Sequence, residues 1–410
     1  MTITPLGHSA LWQPIEDWQH RACVISLTNS MFEQGYKPRS VRSALRVTGA
    51  FIEWRNERDK TAPKQLAYSD ITCFIAQLAA AGTLRNGYRA ALERLRAELL
   101  QAGALCHPPA VSDPHSDIEA LYEAELRRRG YADQTIASHL WFSRRFLRAV
   151  WVDEEGIFQL THQAVRNYLA GHFDRQSSAT SKVMSSRLRT FLRFCWTAHL
   201  TEKDLAPAIP AVRNLRLAAL PSFMSADQLG RVLKACDRTT TAGRRDFAVL
   251  MLLSRLGLRA SEVAFLTLDD IDWRAGLLRV KGKGGRITTM PLSQDVGSAI
   301  SDYIMGGRPV SGSRAIFHRV ETPCTPFRSA TPVILIARRA LQRAKISGTR
   351  SRHAHIFRHS FATIALRSGA SLTELAQVLR HKDPDTTRIY AKVDIEALRS
   401  LSRPWAGEVL

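Results

Sequence analysis

The stretch Leu277-Leu-Arg-Val-Lys-Gly-Lys-Gly-Gly-Arg-Ile-Thr-Thr-Met-Pro-Leu292 interrupts a chain otherwise patterned for helices. Residues 277–280 and 287–292 are short β-type runs, and Lys281-Gly282-Lys283-Gly284-Gly285-Arg286 between them predicts a hairpin with a basic, glycine-rich tip. Helical spacing of apolar residues surrounds it. Upstream, Ser225 and Gln228 make a capping box for a helix through Ala235, and 244–256 reads as a second helix that Gly257 can terminate. Downstream, helical patterns cover 331–344, 356–368 and 371–379, the last opened by a Ser371/Glu374 capping box. The expected fold is mainly α with a small antiparallel β-sheet in the C-terminal domain.

Two proline clusters break the apolar periodicity, Pro108, Pro109 and Pro114 within 106–116, and Pro207, Pro210 and Pro221 within 205–222. Proline removes a backbone donor and restrains the residue before it, so both clusters read as linkers. They divide the 410 residues into an N-terminal helical domain (1–105), a second helical domain (117–205) and a C-terminal domain (220–410). The first two look alike. Gly35-Tyr36 precedes Val41, Leu45 and Phe51, and Gly130-Tyr131 precedes Ile136, Leu140 and Phe146 at the same offsets. Arg94-Leu95-Arg96 and Arg187-Leu188-Arg189 also match, at a separation of about 95 residues. Both read as small helical bundles, either an old duplication or two amphipathic patterns that align by chance.

Lys and Arg number 58 against 37 Asp and Glu, a formal charge of +21 that calls for an acidic partner. In the second block Arg127, Arg128, Arg129, Arg144, Arg145, Arg187 and Arg189 are interleaved with Trp141, Phe142, Phe191 and Phe194. Basic side chains alternating with core aromatics give a bundle one positive face, suited to a phosphate backbone. No apolar run is long enough for a membrane span, and 1–18 lacks the character of a signal peptide, so a cytoplasmic protein is expected. The six cysteines have no metal-site or disulfide spacing.

Taken singly, the C-terminal motifs decide little. Gly257-Leu-Arg-Ala-Ser-Glu262 places Arg259 just after a helix break with Glu262 within reach, which a surface ion pair explains equally well. Lys283 stands between glycines at the hairpin tip, but the spacing of a phosphate-binding P-loop is absent. His355 and Arg358 lie three apart at a helix start, followed by Leu379-Arg380-His381 and Thr386-Thr387-Arg388-Ile389-Tyr390. The ordered set says more. Arg259, Lys283, His355, Arg358, His381 and Tyr390, with Gly-Leu-Arg-x-Ser-Glu, His-x-Phe-Arg-His-Ser-Phe-Ala-Thr and Thr-Thr-x-x-Tyr around them, resemble the active-site signature of the tyrosine recombinases, the phage-integrase family. The resemblance covers about residues 220 to 400. The family commonly has glycine before the third-motif histidine, where this chain has Arg380. An arginine there would strain a positive-φ turn or add a phosphate contact.

The resemblance implies a site-specific recombinase whose catalytic set is those six residues, with Tyr390 as nucleophile and a covalent 3′-phosphotyrosine intermediate. Arg259 and Arg358 would present planar forks to the phosphate oxygens, each worth ~3 kcal/mol in the transition state. His355 would help the Tyr390 hydroxyl, Lys283 would protonate the leaving 5′-oxygen, and His381 would bind the phosphate. Glu262 would orient Arg259 or His355, and His359 is left a structural role. No cofactor or metal is implied. Partners would be double-stranded DNA and three further copies in a synaptic homotetramer, with or without companion recombinases, serving a mobile element or phage. The apolar strip of Ile395, Leu398 and Leu401 after Asp394 would dock on a neighbouring subunit or fold back on its own. Two alternatives stay open: a type IB topoisomerase-like relaxing enzyme, and a catalytically weak accessory DNA-binding recombinase.

Overall fold

The computed structural model describes residues 12–58, 66–105, 115–151, 156–173, 178–211, 222–282, 285–346, 353–380, 387 and 390. Lys283, His381 and the 394–401 strip lie outside the described residues. Residues 106–218 form one compact unit, and 1–105 with 219–410 form the other.

Helices α1 (Gln13–Glu16), α2 (Arg21–Glu33), α3 (Pro38–Arg58), α4 (Tyr68–Ala80) and α5 (Tyr88–Gln101) enclose a core that includes Leu27, Leu45, Phe51, Leu92 and Leu95. The 106–218 unit holds α6 (Ser116–Arg128), α7 (Asp133–Val150), α8 (His162–Phe173) and α9 (Ser178–Thr197) around Tyr122, Phe146, Leu188 and Phe191. Its core continues through Leu205, Ala206 and Ile209, so the chain stays on the bundle past the point where a linker was expected. Pro207 does not break this contact because it sits in the first turn of a 3₁₀ helix, where its missing N–H is not needed.

The two bundles share element bounds. Helices α2 and α6 have 13 residues each, and each ends at a left-handed glycine, Gly35 (φ 80) or Gly130 (φ 74), whose following tyrosine donates its N–H back to the helix. Only glycine reaches that φ without a Cβ penalty. Corresponding positions are buried in both, as in Leu27 and Tyr122, Met31 and Leu126, Val41 and Ile136, and Phe51 and Phe146.

The C-terminal portion begins with α10 (Ala226–Lys234), whose N-cap Ser225 exchanges hydrogen bonds with Gln228 as the capping box requires. Helix α11 (Thr241–Arg255) is buried along 248–254 and forms the spine of the largest core. It is followed by α12 (Ala260–Ala264) and an antiparallel sheet of β1 (Ile271–Asp272), β2 (Leu277–Lys281) and β3 (Ile287–Pro291) in the order β1-β2-β3. Register pairs Leu278 with Met290 and Val280 with Thr288, which turns Leu278 and Val280 into the core. Strand β1 was not anticipated, since two residues carry no readable period. Helices α13 (Gln294–Gly306), α14 (Thr331–Arg343), α15 (His353–Arg367) and α16 (Leu372–Val378) complete the fold. Ala362, Leu366, Leu375, Leu379 and Tyr390 form a separate small core between α15 and α16.

Candidate active site

Gly257 ends the turn after α11 with φ 58, and a Cβ there would meet Phe361 Cδ1 at 2.8 Å. The turn delivers Arg259 as the N-cap of α12. The Arg259 backbone N–H donates to Glu262 Oε2 at 2.8 Å and its Nη1 donates to Glu262 Oε1 at 2.7 Å. Glu262 is only 5 % exposed. A second guanidinium reaches the same carboxylate, with Arg380 Nη2 2.8 Å from Oε2. Burial pushes the Glu262 carboxyl up, but the Arg259 N–H, the Arg380 charge and the Arg259 side chain outweigh it and hold the carboxyl below its ordinary range.

Arg380 takes φ 55, the left-handed conformation that glycine would occupy without strain. Its side chain turns inward, so neither outcome expected of it is the whole account. The backbone conformation is the strained one, and the guanidinium serves Glu262 rather than facing outward. Glu262 thus holds Arg259 and Arg380.

Helix α15 carries His355, Arg358 and His359. Arg358 is 4 % exposed, and its fork donates to two backbone carbonyls, Gly257 at 2.5 Å and Leu379. One side chain therefore ties the turn after α11 to the end of α16. Burial, then the Arg259 charge, pulls the Arg358 guanidinium down to about 10, against Glu262 and Tyr390 acting upward. It stays cationic at neutral pH.

Tyr390 is 2 % exposed in the small core, with its hydroxyl 2.9 Å from His359 Nδ1. Burial raises the phenol pKa, while Arg358 and then Arg259 act to lower it. His359 is pushed down to about 4, first by burial and then by His355 and Arg358, and is neutral at pH 7. The imidazole on the phenol is that of His359, the histidine to which the sequence left a structural role. His355 is exposed, its ring centroid 6.4 Å from that of His359. The i,i+4 spacing of the two histidines put them on one helix face and was the signal available for this. Of the expected catalytic set, Arg259, Arg358 and Tyr390 come together with Glu262; Lys283 and His381 lie outside the described residues.

In the 106–218 unit the basic candidates have partners. Arg127 bonds Glu123 and Asp133, Arg128 and Arg129 both hold Glu125, and Arg144 holds Glu119. Arg187 Nη1 donates to His139 Nε2 at 2.7 Å, and Arg189 donates to the Ile209 and Pro210 carbonyls. Arg145 stacks over exposed Trp141 at 5.6 Å. Among the described residues no helix is long and apolar enough to cross a membrane.

The C-terminal helices thus set two arginines from distant segments around one tyrosine. Residues 222–396 match the model of the phage integrase family. The chain is 36% identical over 393 residues to the integrase/recombinase y4rA of Sinorhizobium fredii, covering 94% of each, and 32% identical over 302 residues to the tyrosine recombinase XerD of Mycobacterium tuberculosis, covering 68% of this chain and 92% of that one. A lambda integrase tetramer bound to a Holliday junction shares the fold, with a TM-score of 0.53 at 18% identity over 79% of this chain and 90% of that one. The chain belongs to the phage integrase family: it is a site-specific tyrosine recombinase, an enzyme that breaks and rejoins DNA strands.

Proposed function

We propose that Tyr390 is the nucleophile and that the reaction runs as follows. The phenolic oxygen bonds to a backbone phosphorus, the phosphorus–5′-oxygen bond breaks, and the products are a 3′-phosphotyrosine and a free 5′-hydroxyl. Arg259 and Arg358 meet the charge that develops on the non-bridging oxygens. Lys283 supplies the proton to the departing 5′-oxygen, and His381 donates to the phosphate. His355 takes the phenolic proton as the oxygen attacks, and His359, neutral and in contact with the hydroxyl, holds the phenol before DNA arrives. Glu262 keeps Arg259 in place. Attack by a different 5′-hydroxyl reverses the step and rejoins the strand, because the ester is conserved in the covalent intermediate.

The observation that carries this reading is geometric. Arg358, about a hundred residues from Arg259 in the chain, bonds the Gly257 carbonyl two residues before Arg259 and the Leu379 carbonyl of the small core that holds Tyr390, and both arginine charges oppose the effect of burial on the phenol. The buried ring describes the enzyme at rest, and phosphate capture by the arginines would accompany release of the ring toward the phosphorus.

The same proposal extends to organisation. Residues 1–105, 117–205 and 220–410 act as three domains, with the second clamping duplex DNA and the third catalytic. Arg127, Arg128, Arg129, Arg144, Arg145, Arg187 and Arg189 supply its basic face. Exposed ion pairs contribute little because water and salt screen them, so a phosphate can take over an arginine such as Arg128 from Glu125 at small cost. Four copies assemble on two duplexes in the cytoplasm, alone or with companion recombinases, to move a mobile element or phage. The test is a nicked duplex, drawn from the DNA flanking the gene, that loses its 5′-hydroxyl fragment on cleavage. Wild type should be trapped covalently and Tyr390→Phe should not. Binding without trapping would make the chain an accessory DNA binder, and relaxation of plasmid without joining of sites would make it a topoisomerase-like enzyme.

A further inference from the structure

The first bundle repeats the plan of the second but not its surface. Helices α3 and α7 both begin three residues after the left-handed glycine that ends the preceding helix. In the second bundle the exposed Arg127, Arg128, Arg129 and Arg144 each sit on a carboxylate. On α3, Arg39, Arg42 and Arg46 are all exposed and share one helix face. No Asp or Glu lies three or four residues from any of them, and among the described residues none of the three is in an ion pair. Their neighbours on the stripe are one another, so the like charges at i,i+3 and i,i+4 destabilise the isolated bundle. The shared fold does not require them either. The corresponding positions of α7 are Gln134, Ala137 and Trp141. The stripe then turns acidic at Glu53 and Glu57, which confines the cationic part to the first half of α3.

A patch that the fold neither needs nor neutralises is explained by an external polyanion, and the enzyme acts on one. From residue 39 to residue 46 the helix rises about 10 Å, a length over which one DNA strand advances about three phosphates along the duplex axis. Guanidinium forks are suited to phosphate oxygens. We infer that the N-terminal bundle is a second DNA-gripping module, in which Arg39, Arg42 and Arg46 of α3 seat on the phosphate backbone of duplex outside the cleaved site. The inference rests on the recombinase reading of the chain and names a DNA contact beyond the catalytic and clamping domains.

The experiment uses the full-length Tyr390→Phe protein with and without Arg39→Gln, Arg42→Gln and Arg46→Gln together. Binding to a mixed-sequence duplex of about 60 base pairs is followed by fluorescence anisotropy across a KCl series, since each lost phosphate contact flattens the log Kd against log salt slope by about 0.9. The triple variant should bind with a slope shallower by about 2 to 3 and roughly tenfold less tightly at moderate salt. Its thermal midpoint should be unchanged or higher, because the like-charge contacts are gone. Equal slopes in the two folded proteins would overturn the inference and assign the stripe to something other than DNA. Should the triple variant not fold, Arg42→Gln alone should still reduce the slope by about 1, and no change would count against the proposal. Covalent trapping by wild type on the nicked substrate tests the recombinase reading separately, so trapping with unchanged slopes would sink only this module's role.

Discussion

Replacing Arg380 by glycine sets two effects against each other. Glycine takes φ 55 freely, relieving about 1 kcal/mol of left-handed strain. It also removes the guanidinium 2.8 Å from Glu262, and breaking a buried pair costs about 3–5 kcal/mol. Glu262 keeps its two bonds to Arg259, which places the loss at the low end, about 3 kcal/mol. The balance is a destabilisation of about 2 kcal/mol, or a drop of about 4–8 °C in the melting transition for a unit of this size. Arg259 then loses part of its support, and single-turnover trapping on the nicked duplex should slow by roughly tenfold. The salt dependence of DNA binding should not move, because the guanidinium faces Glu262. Arg380→Lys, which keeps both the strain and a charge, should fall between. A higher melting transition in Arg380→Gly would show that strain outweighs the pair, and a salt slope shallower by about 1 would show that Arg380 holds a phosphate; either result refutes the reasoning.

Two further outcomes follow from the geometry. Gly257→Ala combines a left-handed φ of 58 with a Cβ 2.8 Å from Phe361 and 3.1 Å from Leu379. It should destabilise the catalytic domain by roughly 2 kcal/mol or more and slow trapping, since the Gly257 carbonyl anchors Arg358; a wild-type melting curve would contradict this. Acid stability should be set in part by His139 and His359, both held down to about 4, chiefly by burial. In the unfolded chain each takes up a proton near pH 6.5, so their contribution is complete above that pH and disappears as pH falls toward 4. His139→Gln should flatten the acid limb of a pH series of melting transitions, and an unchanged limb would mean that His139 does not titrate on unfolding.

Much of the architecture was legible locally. Capping boxes at Ser225 and Ser371 and the switch to period 2 at 277–292 depend on residues within a few positions of one another, and all three appear where the pattern puts them. Strand β1 was invisible because two residues have no period, and the extension of the second core to Ile209 was hidden by prolines that a 3₁₀ turn accommodates. In the site, Arg259, Glu262, Arg358 and Tyr390 were candidates through the resemblance to the tyrosine-recombinase signature, and the fold brings the four together. Their partners were not legible in the sequence. Arg358 bonding the Gly257 and Leu379 carbonyls, and His359 rather than His355 on the phenol, depend on how α15 packs between other elements.

Which side chains are offered for phosphoryl-transfer chemistry is a matter of residue type and sequence order, and the chain alone supplies those candidates. The ionisation and accessibility of those side chains belong to tertiary structure. Glu262 is a carboxylate shared by two guanidiniums only because residues 259 and 380, distant in sequence, meet over it in a site that excludes most of the water. Electrostatic interaction strength depends on distance and on local dielectric, and neither is written in a linear order of residues.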